Sequence, residues 1–369
     1  MKNLVRSIPR SPAMRVLYAT DGSAGSQAAL EILLQNFDPK GVELVDVLHV
    51  LPTPIGLAPG THGMGSVILE ANQRVGDEVV AAAVAALEAR DVRAEGTVVM
   101  GHPAAEILRH AEERGCDLIV VGSRGLTGIQ RLLAGSVTGK VARYARTSVL
   151  IAHGAGRVEH VLVGFDGSQA AETCLDMVAR LPLLAVPRVT VATAYDAPLP
   201  FRSGVAPFMQ AQVSAAYEED LAAARRSAQV TVEHGADRLR TAGRAVETKV
   251  LHGRARDVLP TVALEIGAQL IAVGSRGLSA VERFFLGSTS AALVAQPPTN
   301  VLIVRARADS SSGTGLDPAG RVPEGRVPEG RVQEGRVPIF PKPRPRTTSR
   351  WIRLRRVGFG QTTPVSAGS

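Results

Sequence analysis

A chain of 369 residues is long enough for two domains of ordinary size, each burying its own core. Apolar residues make up 45% of it and aromatics only 4%, which argues against a surface of stacking aromatics for single-stranded nucleic acid. The net charge of +8 is concentrated at one end: from residue 307 onward there are 12 Lys/Arg against 5 Asp/Glu, leaving +1 for everything before it.

Residues 1–12 form a basic extension without the apolar core of a signal peptide, and Met14 stands as a second candidate start. Arg15 to Ala19 reads as a short strand ending at Asp21-Gly22-Ser23, and a helix follows through Ala28, Ala29, Ile32 and Leu33. A second strand, Val42 to Leu51, runs into a Pro-rich loop. A long helix comes next, its face marked by Val75, Val79, Val80, Val84 and Leu87. Thr97 to Met100 is a third strand, leading into Gly101-His102-Pro103 and a helix through Ile107 and Leu108. The fourth strand, Leu118 to Val121, ends at Gly122-Ser123-Arg124-Gly125. Nine residues separate Gly125 from Gly135-Ser136, where the next helix begins, with Ser136 at the expected N-cap. Val149 to Ile151 is the fifth strand.

The whole series then returns. Asp166-Gly167-Ser168 closes a strand over 160–165, Val189 to Ala194 is the second strand, and a weaker helical pattern covers 212–239. The third strand is Lys249 to Leu251 and the fourth Leu270 to Val273. Gly274-Ser275-Arg276-Gly277 follows, again with nine residues before Gly287-Ser288, and Val301 to Val304 is the fifth strand. One glycine-rich loop is a weak signal, but two at identical internal spacing mark a duplication. Strand and helix alternation predicts an α/β fold of two doubly wound, five-stranded parallel sheets with helices on both faces. The domains expected are residues 13–154 and 157–306. The tail, 307–369, carries Gly-Arg-Val-Pro repeats at a period of five and then a Pro/Arg-rich run, a composition that predicts disorder. Its Arg-rich end with Trp351 is the one part suited to nucleic acid or acidic lipid.

In a doubly wound sheet the ligand sits beyond the carboxyl ends of the strands, where strand order reverses. The residue types there suit a nucleotide. Backbone N–H groups of the Gly122–Gly125 loop and of Gly135, Ser136 and Val137 would hold phosphates, with hydroxyls of Ser123, Ser136 and Thr138 as further donors. Arg124 and Arg276 would either steer phosphate or simply be solvated. Asp21 would accept from a ribose hydroxyl or adenine amine, or hold a phosphate-bound Mg²⁺ through water. Asp166, Gly274, Arg276, Gly277, Gly287, Ser288 and Ser290 form the second set, and Thr289 takes the place of Val137. His49 alternates with apolar neighbours and reads as a satisfied or rim residue, and His102 as a turn former.

The G-x2-G-x9-G-S pattern in both halves resembles the nucleotide-binding signature of the universal stress protein family. So do Asp-Gly-Ser after the first strand, Leu48-His49-Val50, Gly101-His102-Pro103 and the run from Asp117 to Gly125. The resemblance covers about residues 14–306. It implies ATP or AMP binding on sheets of order 3-2-1-4-5, and adenine contacts by the backbone of Val50 and Ala194. It also implies internal pairing of the two halves through their last strands, with a homodimer as a further possibility. Gln269 in place of Asp117, Arg254 in place of His102 and Thr289 in place of Val137 depart from the pattern, so the second half matches the signature less fully than the first.

No nucleophile or general base is evident at the phosphate loops. The leading expectation is therefore a stress-response regulator that binds adenine nucleotide, without a catalytic residue or a dedicated metal site. The alternatives are a slow ATP hydrolase or phosphotransferase, and an interaction scaffold with degenerate sites. Two cysteines, Cys116 and Cys174, supply no disulfide framework, and no apolar run reaches bilayer length, so a reducing cytoplasm is the expected setting and no membrane partner is.

Overall fold

The computed structural model describes residues 13–52, 64–123, 125, 135–196, 210–276 and 286–306. The basic extension, Arg124, Gly277, most of both Pro-rich loops and the repeat tail lie outside the described residues.

In chain order the first half holds β1 (Met14–Thr20), α1 (Ala24–Asn36), β2 (Val42–Pro52), α2 (Met64–Glu88), β3 (Ala94–Gly101), α3 (Pro103–Glu113), β4 (Leu118–Gly122), α4 (Ser136–Tyr144) and β5 (Ser148–Ala152). The second repeats it with β6 (His160–Gly164), α5 (Gln169–Arg180), β7 (Arg188–Tyr195), α6 (Gln210–Thr241), β8 (Val246–His252), α7 (Ala255–Glu265), β9 (Leu270–Gly274), α8 (Ser288–Ala295) and β10 (Asn300–Val304). The central strands β1, β4, β6 and β9 are short apolar runs because both of their faces are covered.

Each half has the order 3-2-1-4-5, but the two sheets are one. The ten strands run β3-β2-β1-β4-β5-β10-β9-β6-β7-β8. Pairing is parallel within each half and antiparallel where β5 meets β10, with Leu302 opposite Leu150. The separate sheets expected from the sequence are therefore continuous. Each half's last strand would otherwise present an unpaired apolar edge. Around this seam Asn36 donates to the Gly156 carbonyl and accepts from the Val158 N–H, and Asn300 accepts from the N–H of His153.

One face of the sheet is covered by α1, α2, α5 and α6, the other by α3, α4, α7 and α8. The buried stripe of α2 differs from the predicted one. Val75 is exposed, and the stripe runs through Gly76, Val80, Ala83 and Leu87. Gly76 is inside because the ring of His49 lies against it: a Cβ there would stand 3.0 Å from His49 Cδ2. A count of large apolar residues passes over a glycine that makes room for a ring.

Candidate functional site

The carboxyl ends of β1 and β4 are neighbours, with Val16 opposite Leu118 and Tyr18 opposite Val120. The loops that leave them diverge, and a cavity of about 330 Å³ opens between. Asp21, Val50, Gly122, Gly125, Gly135, Ser136, Val137 and Thr138 all line it. The structure thus brings together the described residues of the first predicted set except Ser123, which does not line the cavity.

Asp21 is fixed by its turn. Gly22 has φ +75°, which glycine adopts readily, and Asp21 Oδ1 accepts the Ser23 N–H at 3.0 Å. Ser23 then caps α1, accepting from the Ser26 N–H. The other carboxylate oxygen faces Gly125, where a Cβ would come within 2.5 Å of Oδ2. A side chain at Gly125 would therefore push the Asp21 carboxylate aside. Gly122 is required by α1: a Cβ on it would lie 2.3 Å from the Gly25 carbonyl carbon. The loop glycines let elements approach each other, whatever else they do for a ligand.

Two sequence expectations about α4 are corrected. Gly135, and not Ser136, is the N-cap, and no side chain caps the helix. The first-turn N–H groups, left without intrahelical partners, face the cavity with the positive end of the helix. The Thr138 hydroxyl is not a spare donor either. It donates to the Gly122 carbonyl at 2.7 Å, tying helix to loop, so Thr138 has only its main-chain N–H to offer. Ser123 Oγ lies 3.4 Å from His153 Nδ1, toward the seam. At the other end of α4, Arg305 from the second half donates to the carbonyls of Ala142 and Arg143. Burial first, and then the nearby Arg276, push its pKa down to about 10, so the guanidinium remains charged at the helix carboxyl end.

The sequence reading missed the floor of the cavity. Thr20, Ser26 and His49 line it. Thr20 donates to Ser26 Oγ at 3.1 Å, and Tyr18 Oη donates to the Ser26 carbonyl. Burial raises the Tyr18 pKa to about 12, so the phenol stays protonated. His49 is neither satisfied nor at the rim: it is 7% exposed, and its Nδ1 is buried without a hydrogen-bond partner. The signal that could have found it was its strand register opposite Thr20, together with the facing glycine. His102 is the exposed N-cap of α3 and makes no capping bond, as suits a turn former.

The second half repeats the frame with different contents. Ser168 accepts from the Ala171 N–H, and Ser290 donates to the Gly274 carbonyl at 2.7 Å. Gly287 is the N-cap of α8, again without a side-chain cap, so Ser288 is its first helical residue and Thr289 the next. Asp166 is exposed where Asp21 is half-buried, and Arg276 is half-buried. Phe165 stands at the position of Thr20, Ala171 at that of Ser26, Thr193 at that of His49 and Ala194 at that of Val50. The Gln269 departure bears on packing, since it sits at the opposite end of β9. Its side-chain oxygen accepts from His160 N at 2.9 Å, as Asp117 accepts from Arg15 N.

Among the described residues no group of three or more His, Cys, Asp or Glu could hold a metal, and no helix is long and apolar enough to cross a membrane.

Fold and crevice define a class: duplicated, doubly wound α/β proteins with a ligand-sized cleft where strand order reverses. The model of the universal stress protein family matches residues 13–153 and again 157–305, and the chain belongs to that family. The universal stress protein YxiE of Bacillus subtilis is 34% identical over 144 residues, covering 37% of this chain and 97% of that protein. The universal stress protein Rv2623 of Mycobacterium tuberculosis is 31% identical over 147 residues, covering 39% of this chain and 47% of its own length. Among solved structures, a universal stress protein from Archaeoglobus fulgidus shares the fold with a TM-score of 0.56 at 22% identity, over 80% of this chain and 97% of that one.

Proposed function

We propose that this chain is a regulatory protein of the stress response that binds an adenine nucleotide, and that the first-half cavity is its main site. The observation that carries the reading is the uncapped amino end of α4 opening on a cavity that also contains Asp21. Phosphates would take the free N–H groups of Ser136, Val137 and Thr138, where an anion meets both donors and helix dipole. Asp21, which would repel a phosphate, faces the sugar or a Mg²⁺ ion held by the phosphates. The apolar walls, Leu48, Val50, Val121 and Ile107, suit a purine face. The second set, Asp166, Ala194, Gly274, Arg276, Gly277 and Gly287 to Ser290, would form a weaker site with a filled floor. Antiparallel pairing of β5 with β10 supports the reading that the two halves act as one paired unit.

The test is calorimetric titration with Mg-ATP. Replacing a loop glycine would confound binding with folding, so Ser136→Pro is the better variant. Proline is tolerated at the first helical position, Gly135 is already extended at ψ 148°, and only one amide donor is lost. Binding by the wild type, weakened about tenfold in Ser136→Pro, is the expected result. A folded wild type that binds no nucleotide, or a variant that binds equally well, refutes the proposal.

A further inference from the structure

We propose that Arg305, a residue of the second half, is a positioning residue for phosphate binding in the first-half cavity, acting through α4; the step rests on the nucleotide reading of that cavity. The seam puts it there. Antiparallel pairing of β10 with β5 brings the end of β10 beside the start of β5, and only residues 145–147 separate that start from the end of α4. The main-chain N–H of Arg305 donates to Ser148 Oγ at 3.2 Å. Its guanidinium then reaches the last turn of α4, where Nη2 donates to the Ala142 carbonyl at 2.7 Å and to the Arg143 carbonyl at 2.8 Å. These belong to the carbonyls that a helix leaves without an intrahelical donor. The side chain is held there at a cost, since its Nε is buried without a partner. Among the described residues no carboxylate shares its charge, which is directed at the helix end.

The helix between Arg305 and the cavity is short: nine residues, or about 14 Å along its axis. A helix of that length is marginal alone, so contacts at its two ends decide whether it is formed and where it points. At the amino end Thr138 ties it to the Gly122 carbonyl, and the uncapped first turn opens on the cavity. At the carboxyl end Arg305 supplies both hydrogen bonds and a positive charge that complements the helix dipole. An anion on the first-turn amides and a cation on the last-turn carbonyls favour the same formed helix, so each strengthens the binding of the other. The second half thereby serves a cavity whose described lining comes entirely from the first. Its own floor is occupied by the buried ring of Phe165, seated over Gly235. The exchange is unequal. The residue matching Arg305 after β5 is His153, which has no permanent charge, and α8 has no basic residue in its last turn.

The experiment compares Arg305→Gln, which keeps a hydrogen-bond donor and loses the charge, with Arg305→Lys, which keeps the charge. Each is titrated with Mg-ATP by calorimetry and with adenosine by ligand-detected NMR, and urea midpoints establish that both are folded. The expected result is roughly fivefold weaker Mg-ATP binding by Arg305→Gln, recovery to within about twofold in Arg305→Lys, and the same adenosine binding in all three proteins. The wild type gives a second readout that needs no variant. By linkage, phosphate at one end of α4 tightens the grip at the other, so solvent exchange of the Arg305 Nε–H should slow on adding Mg-ATP and stay unchanged with adenosine. Equal Mg-ATP binding by wild type and Arg305→Gln, no recovery in Arg305→Lys, an equal loss of adenosine, or an unaltered Nε–H exchange would each overturn the assignment. Failure of the wild type to bind any nucleotide would instead remove the nucleotide reading itself.

Discussion

At the amino ends of their central strands the two halves meet one structural demand with different chemistry. In the first half Asp46 on β2 is 2% exposed and surrounded by charge. Arg114 donates to it at 2.7 Å, Arg15 Nε stands 3.5 Å away, and the Cys116 thiol lies at 3.8 Å. Arg114 also bridges to Glu95. In the second half the positions of Arg15 and Asp46 belong to His160 and Thr190, which form one neutral hydrogen bond of 2.8 Å. The backbone around them is unchanged: Asp117 N donates to the Arg15 carbonyl at 2.8 Å and Gln269 N to the His160 carbonyl at 3.0 Å. A duplicated fold keeps main-chain pairing and exchanges side-chain solutions in matched pairs. The same holds at the carboxyl ends, where Thr20 with His49 corresponds to Phe165 with Thr193.

The sharpest way to break this equivalence is at the two loop glycines. Gly122 meets the backbone of Gly25, while Gly274 meets Ala170, whose nearest backbone atoms stand at 2.7 Å from an added Cβ. The first half is therefore the tighter one. Gly122→Ala is expected to destabilise by about 3 kcal/mol and Gly274→Ala by about 1–2 kcal/mol in urea unfolding. Equal costs would mean that the closer approach of α1 to β4 has no energetic consequence.

A second test exchanges the amino-end solutions. Asp46→Ala removes the carboxylate that Arg15, Arg114 and Cys116 share, and about 2–3 kcal/mol of stability should go with it. The value lies below the roughly 3–5 kcal/mol usual for breaking buried pairs because the Arg114 side chain is 36% exposed and keeps Glu95. The double variant Arg15→His with Asp46→Thr installs the second half's neutral pair, and should cost less than the single change. Cys116 reports on the same site. Burial first, and then the Asp46 charge, push its thiol up to about 12, so it should react with thiol reagents faster once the site is loosened.

The duplication, the parallel strands and the carboxyl-end crevice were all legible in the sequence, because glycine spacing and apolar runs report backbone needs directly. Asp21, Gly125 and the start of α4 followed from that. The seam was implied only by family resemblance, since β5 and β10 read as two buried strands like any others. His49 was misread for a definite reason. A histidine flanked by Leu48 and Val50 on a strand has the same pattern whether its ring is satisfied or left open, and Gly76, which decides the ring's position, is 27 residues away. Ser136 was placed one residue early because serine is the commoner cap. Here Gly135 takes that position, and no side-chain oxygen competes with an anion.

The smallest expected effect separates the neutral pair from the charged one by pH. Ile266 carbonyl can only accept, so His160 Nδ1 carries the proton at 3.2 Å from it, and Nε2 accepts from the Thr190 hydroxyl. Burial lowers the His160 pKa below the ordinary 6.5, opposed by the Ile266 contact. The unfolded chain then takes up a proton near pH 6.5 while the folded chain does not, so stability is intact above that pH and falls as pH drops toward the folded value. Linkage limits the slope to about 1.4 kcal/mol per pH unit for one histidine. His110 in the first half is lowered by burial too, with Asp46 opposing, and contributes in the same direction. Urea midpoints measured between pH 7.5 and 5.5 should therefore fall in the wild type and fall less in His160→Asn, which removes one titrating group. An unchanged slope would assign the whole drop to the first half and show that the His160–Thr190 pair accepts a proton as readily folded as unfolded.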